Sequence, residues 1–246
     1  MDITPKINAY IDEYKSFMGI DQFPEYTLKT HEARISTADS QGYEIAAATY
    51  YQPETNQHTL LVSTNLILSR YLMFHEFTHM IDSELYVNGD KIRYAGLSAY
   101  TEYHAAQVEL LSLLGVEKEN AALTFPMDTV VSTFAGDKCV SQYVQAKYQH
   151  AVDLFSRADF PADIAALKSA LGVLHNYWGL RSICEMYSPN FKEINKNEAF
   201  LKYIPTVQFS TLNNLMHGWL DKAQVDLSIS LYLSIIFPII KSYKLA

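Results

Sequence analysis

The chain has 246 residues, of which 49% are hydrophobic, and a formal net charge of -8. This composition is typical of a globular protein, and the acidic excess argues against a dedicated nucleic-acid or anionic-membrane binder, because both need a cationic surface. The two cysteines form no CxxC pair, which favours reduced thiols in a cytoplasmic protein. We therefore expect a soluble globular protein without nucleic-acid or membrane partners.

The N-terminal part of the chain predicts one helix followed by strands. Residues 1–20 carry apolar side chains at intervals of three and four, which predicts an amphipathic helix. Residues 27–64 are rich in Thr, Tyr, Val, Ile and Ala, and predict two or three antiparallel strands with a turn cluster at Ala38–Gly42. The last two strands are expected at about Ile45–Tyr51 and His58–Ser63.

The next segment predicts two helices joined by a turn. From Asn65 the apolar period becomes helical, and this helix is expected to end near Ser83–Tyr86. A second helix is predicted to begin near Ser98 or Thr101 and to end at Leu114, directly before a glycine.

The remainder of the chain reads as mostly helical. Its apolar stretch Val225–Ile240 has 16 residues, fewer than the roughly 20 that a membrane span requires, so a buried helix or strand is the better interpretation. We predict an α+β protein, with a small antiparallel sheet and a helix-bearing core in residues 1–115 and a helical region in residues 116–246; the two halves form either two domains or one. The predicted C-terminal helices are 138–157, 162–187, 207–222 and 225–240.

The sequence His75-Glu76-Phe77-Thr78-His79 is an HExxH motif within the first of these central helices. Residues four apart lie on one helix face, so both imidazoles can bind one metal ion, and zinc then accepts a third protein ligand and a water. Glu76 is suited to take a proton from that water and deliver it to the leaving amine. An ordinary helix with two unrelated histidines is the alternative, although the flanking residues are uncharged, as a buried active-site helix requires.

Glu102 is the best candidate for the third ligand, and Glu109 lies seven residues later on the same helix face. Two acidic residues in an otherwise apolar helix call for a partner, which a metal ion or the N–H groups of its ligands would supply. We predict that Glu102 binds the metal and that Glu109 contacts a ligand side chain without touching the metal. The reverse assignment is an alternative, and so is an exposed acidic stripe on an ordinary helix.

Three further residues, one near the motif and two directly after Glu102, have possible roles. Asp82 can hydrogen-bond a ligand imidazole and fix its tautomer, or else lie solvated at a helix end. Tyr103 and His104 are each candidates to donate a hydrogen bond to a developing oxyanion. More distant candidates for that role are His175, Tyr177 and His217.

Residues 60–114 resemble the zinc metallopeptidases of the gluzincin type, whose third ligand is a glutamate from a following helix. The HEFTH sequence is similar to the HELTH form of thermolysin-like enzymes, and Glu102 followed by Ala105 is similar to the ImmA/IrrE-like peptidases of phages and mobile elements. The resemblance implies a zincin-like fold, Zn²⁺ bound by His75, His79 and Glu102, and hydrolysis of a peptide or protein substrate. It also implies that His58–Ser63 is an edge strand that aligns a bound peptide.

Two other functions compete with a zinc peptidase. A zincin-scaffold protein of phage or mobile-element type could keep the metal and bind or regulate a partner without cleaving it. A helical interaction protein with an accidental motif would bind no metal.

Overall fold

The computed structural model describes residues 2–33, 46–119, 121–194 and 197–245. They form an α+β protein, as predicted, and the chain divides into two compact units. The first unit contains Met1–Lys91 and Val108–Ala122, and the second contains Ile92–Gln107 and Leu123–Ala246. One long helix, α3 (Lys91–Leu113), contributes residues to both.

The first unit contains a three-stranded sheet with the strand order β1-β3-β2. Strands β2 and β3 pair antiparallel, which confirms that part of the prediction, but β1 and β3 are parallel, so the expectation of a wholly antiparallel sheet was wrong. Parallel strands cannot be joined by a tight turn, and β1 and β3 are separated along the chain by residues 32–56, which include β2. The elements of this unit before α3 are α1 (Thr4–Met18), β1 (Tyr26–His31), β2 (Ala47–Gln52), β3 (Gln57–Ser63) and α2 (Arg70–Tyr86).

The expectation that His58–Ser63 forms an edge strand was also wrong. The corresponding strand β3 lies between its two neighbours, and β1 and β2 are the outer strands of the described sheet. Strand order depends on which strands meet in space, and the spacing of residues along the chain does not determine it. The turn cluster predicted at Ala38–Gly42 lies outside the described residues.

Helix α2 begins at Arg70, five residues after its predicted start. The side chain of Asn65 instead ties the preceding loop to the end of β1: its Oδ1 accepts from Ala33 N at 2.9 Å and its Nδ2 donates to Ala33 O at 2.8 Å. Helix α3 begins at Lys91, earlier than predicted, directly after a turn in which Gly89 has a φ of 75°. The predicted stop at Gly115 agrees with its left-handed φ of 72°.

The second unit is mostly helical, as predicted, and also contains a short hairpin that the sequence did not reveal. Its strands have four residues each, too few to show a period of two. Helix α7 ends at Leu215 rather than near residue 222, and Gly218 follows with a φ of 67°. The elements are β4 (Val130–Thr133), β5 (Gly136–Cys139), α4 (Val140–Phe155), α5 (Ile164–Tyr187), α6 (Glu198–Leu201), α7 (Thr206–Leu215) and α8 (Lys222–Tyr243).

Within the second unit, α5 packs closely against α3 through small residues. A Cβ atom placed on Gly179 would lie 2.1 Å from the backbone oxygen of Tyr103 and 2.9 Å from the Cβ of Ala106. Three residues further along α5, Ser182 accepts a hydrogen bond from Gln107 Nε2 at 2.7 Å. The backbones can approach this closely because position 179 has no side chain.

Helix α8 is the one helix in the described residues that is long and apolar enough to cross a membrane. Its most apolar window has a mean hydropathy of 1.7, and 39% of that window is buried within the protein. Core helices of soluble proteins reach the same length and hydropathy, so these values alone do not assign α8 to a membrane. The side chain and backbone of Asp221 complete a capping box with Gln224 at its start.

Candidate metal centre

Helix α2 brings His75 and His79 together on one face. Their ring centroids lie 4.8 Å apart and their planes meet at 80°. Glu102 of α3 completes a group in which each residue offers one ligand atom, and these atoms lie within 4.8 Å of one another. Two imidazoles and a carboxylate thus converge as the sequence predicted, and this donor group could hold a metal ion.

Glu109 lies behind His75. Its Oε2 is 2.8 Å from His75 Nδ1, and both side chains are largely buried. The two atoms are close, but their geometry is not that of an aligned hydrogen bond. The negative charge of Glu109 nevertheless favours a proton on the facing Nδ1, which leaves Nε2 available as a ligand. Of the two glutamates on this face of α3, Glu102 belongs to the group that could hold a metal ion, and Glu109 contacts His75 of that group.

Glu76 points toward strand β2. The hydroxyl of Thr49 donates a hydrogen bond to Glu76 Oε2 at 3.0 Å. This partner was missed in the sequence, because nothing in the spacing shows that β2 packs against α2. Thr49 restrains the carboxylate next to the histidines.

Asp82 is 1% exposed, so it is buried and is not a solvated residue at a helix end.

A hydrogen bond from α1 reaches Thr78 of α2. The Thr78 hydroxyl donates to Phe74 O at 2.8 Å, so Tyr14 is the donor in the 3.0 Å hydrogen bond between Tyr14 Oη and Thr78 Oγ1. Burial raises the pKa of Tyr14 well above its usual value, and the phenol remains a neutral donor. This bond ties α1 to the helix that carries both histidines.

Tyr103 and His104 lie on faces of α3 away from Glu102, because each helical residue turns by about 100°. Tyr103 donates to Gly218 O at 2.5 Å, and burial raises its pKa. His104 stacks on Tyr100 and meets Trp219 edge-on, with ring centroids 5.4 and 6.0 Å apart.

Two of the more distant candidates, His217 and Tyr177, contact other side chains. His217 lies between Glu185 at 2.7 Å and Arg181 at 3.3 Å. Burial raises the pKa of Tyr177, whose ring meets that of Tyr148 at 5.2 Å.

His175 of α5 is 1% exposed, and its Nδ1 lies 2.7 Å from Leu171 O. Burial lowers the pKa of His175 to about 4, so the ring is neutral near pH 7. A carbonyl oxygen only accepts, so Nδ1 carries the proton and Nε2 is an acceptor. One turn earlier on the same helix, a Cβ on Gly172 would lie 3.5 Å from Glu102 Oε1.

The buried imidazole predicts acid sensitivity. Below pH 6.5 the unfolded chain protonates His175 while the folded protein does not, so the free energy of unfolding should fall with pH until about pH 4. The shift corresponds to about 3 kcal/mol. Urea unfolding of the metal-free protein between pH 7.5 and 4.5 measures this slope, and His175→Leu should flatten it. An equal slope in both proteins would contradict the assignment.

No protein-family model, curated protein or solved structure matches the chain. The resemblance to gluzincins therefore depends on the motif residues themselves and on the side chains that meet around them.

Proposed function

We propose that the protein is a zinc-dependent peptidase in which His75, His79 and Glu102 hold the metal and Glu76 is the general base. The observation that carries the proposal is the convergence of two imidazoles and one carboxylate within 4.8 Å, with Glu76 adjacent to His75 on the same helix. The absence of cysteine from this group is typical of catalytic zinc sites, which bind the ion with three protein ligands and leave one position open.

The ligand group fits zinc rather than calcium or magnesium. Imidazole nitrogen suits zinc and other transition ions, whereas the two hard cations prefer oxygen donors throughout. The 2.8 Å contact between His75 and Glu109 adds the carboxylate–histidine pair that commonly orients such a ligand.

When bound, zinc would polarise the scissile carbonyl and lower the pKa of the attacking water toward about 7. Glu76 accepts the proton of that water and then delivers it to the leaving amine. The Thr49 hydroxyl donates to Glu76 Oε2 and restrains this carboxylate beside the histidines. The charge of Glu109 favours a proton on Nδ1 of His75, which would leave Nε2 to bind the metal.

The peptide substrate is proposed to add to β2 rather than to β3. Strand β2 is an outer strand of the described sheet, packs against α2 and carries the Thr49 contact to Glu76. An extended peptide paired with the outer edge of β2 would lie near the helix that bears the histidines.

Metal content tests the proposed site directly. We expect about one zinc per chain in the purified protein and loss of stoichiometric zinc in His75→Ala and His79→Ala, because each removes one of three protein ligands. Elemental analysis after dialysis measures this. His150→Ala, which removes an exposed histidine of α4, is the matched control and should retain zinc. Stoichiometric zinc in both ligand variants would refute the site.

Removing the charge behind His75 should weaken zinc binding without abolishing it. We expect Glu109→Gln to raise the zinc Kd about 10–100-fold, the range found for partners of metal-bound histidines. Competition with a chromophoric chelator measures the Kd. An unchanged Kd would show that Glu109 has no effect on the ligand, and a complete loss of zinc would instead favour Glu109 itself as the third ligand.

A further inference from the structure

Two buried polar atoms near Glu102 have no hydrogen-bond partner in the described part of the chain. They are Nε2 of His175 on α5 and the hydroxyl of Tyr232 on α8. Both residues are 1% exposed, and their ring centroids lie 5.9 Å apart. Buried polar atoms in proteins are nearly always paired, so two neighbouring exceptions call for an explanation.

Both atoms belong to the surroundings of the Glu102 carboxylate. Gly172 and His175 share a face of α5. A Cβ atom placed on Gly172 would lie 3.5 Å from Glu102 Oε1. Burial raises the pKa of Tyr232, and the charge of the Glu102 carboxylate raises it further. Burial lowers the pKa of His175, and the charge of the same carboxylate offsets part of this effect.

The hydrogen-bonding capacities of the three groups are complementary to a single water molecule. The carboxylate and His175 Nε2 accept, while the Tyr232 hydroxyl has one proton to donate. A water that accepts from Tyr232 and donates to His175 and to Glu102 makes three hydrogen bonds, the usual number for a buried water.

We propose that His175 and Tyr232 are positioning residues for Glu102, which they orient through a shared buried water. This inference rests on the proposed function, because it assumes that Glu102 is a zinc ligand. Fixing one carboxylate oxygen removes rotational freedom from the ligand, so zinc binding does not have to order it. The hydroxyl of Tyr232 and Nε2 of His175 thereby contribute to zinc affinity although neither touches the metal.

The test compares zinc Kd values of the full-length protein by chelator competition at 25 °C, together with the Tm of each metal-free protein. Tyr232→Phe keeps the ring and removes only the hydroxyl, and His175→Leu removes the acceptor. His175→Gln restores an acceptor near the Nε2 position. Tyr148→Phe is the matched control. It removes the hydroxyl of another buried tyrosine, which lies on α4 and packs against Tyr177 and Phe200.

We expect Tyr232→Phe and His175→Leu to raise the zinc Kd at least about 10-fold, with His175→Gln closer to the unsubstituted protein and Tyr148→Phe unchanged. A merely structural role would lower the Tm of the metal-free protein and leave the Kd unchanged, which would overturn the inference alone. Failure of the unsubstituted protein to bind zinc would overturn the proposed function and the inference with it.

Discussion

Replacing Glu76 by glutamine is expected to abolish peptide hydrolysis while zinc remains bound. Glutamine has nearly the shape of glutamate and can still accept from Thr49, but it cannot take the proton of the attacking water. General-base catalysis contributes about 10²–10⁴-fold, so kcat/KM should fall by at least that range while the zinc content stays near one per chain. Cleavage of a casein or peptide-library substrate, measured beside elemental analysis, gives both values.

Glu84→Gln is the matched control for this substitution, because it makes the same change on the same helix. Glu84 is exposed and contacts His58 and Asn56, so its replacement should leave kcat/KM unchanged. Full activity in Glu76→Gln would contradict the proposed mechanism. Zinc binding without cleavage of any substrate by the unsubstituted protein would favour the scaffold protein that binds a partner and does not hydrolyse it.

A methyl group at position 179 is expected to cause the largest loss of stability that we predict. The new Cβ would lie 2.1 Å from the backbone oxygen of Tyr103, and a helix backbone cannot yield as the end of a flexible side chain can. Helix α5 must then move away from α3, and such overpacking typically costs about 1–3 kcal/mol and occasionally more. Gly179→Ala should therefore lower the free energy of unfolding by at least that amount.

Gly172→Ala on the same helix should have the opposite effect. Its Cβ would meet Glu102 at an ordinary 3.5 Å, and alanine is better than glycine inside a helix by about 0.5–1 kcal/mol. Urea unfolding of the two metal-free variants at one pH measures the difference. Equal stabilities would show that the close α3–α5 approach at residue 179 is not maintained in solution.

Most of the longer helices were predictable, because their apolar residues recur at intervals of three and four or form long runs, whereas the four-residue α6 was not predicted. The motif residues were predictable for the same reason, since i, i+4 and i, i+7 spacings on a helix fix which side chains share a face. His75 with His79, and Glu102 with Glu109, follow from spacing alone. The helix starts were less well predicted, since Asn65 is used in a loop hydrogen-bond pair with Ala33 rather than in a helix.

The residues that spacing could not reveal are those brought in from elsewhere in the chain. Thr49 reaches Glu76 because β2 packs against α2, and which strand packs there is a long-range property. His175 and Tyr232 lie on α5 and α8, far from Glu102 in the sequence. Their ring contact, and the close approach of α5 to α3 at Gly179, depend on long-range packing. No single window of the sequence contains that information.

Because α3 contributes residues to both compact units, it limits how the gene can be divided for expression. A fragment that stops at residue 115 would keep both histidines and Glu102, yet it would strip the neighbours from residues 92–107. Tyr103 would lose Gly218, Gln107 would lose Ser182, and Glu102 would lose the helix that carries Gly172. Loss of metal binding or activity in such a fragment would reflect the exposure of α3 and would not test the proposed site in the intact chain.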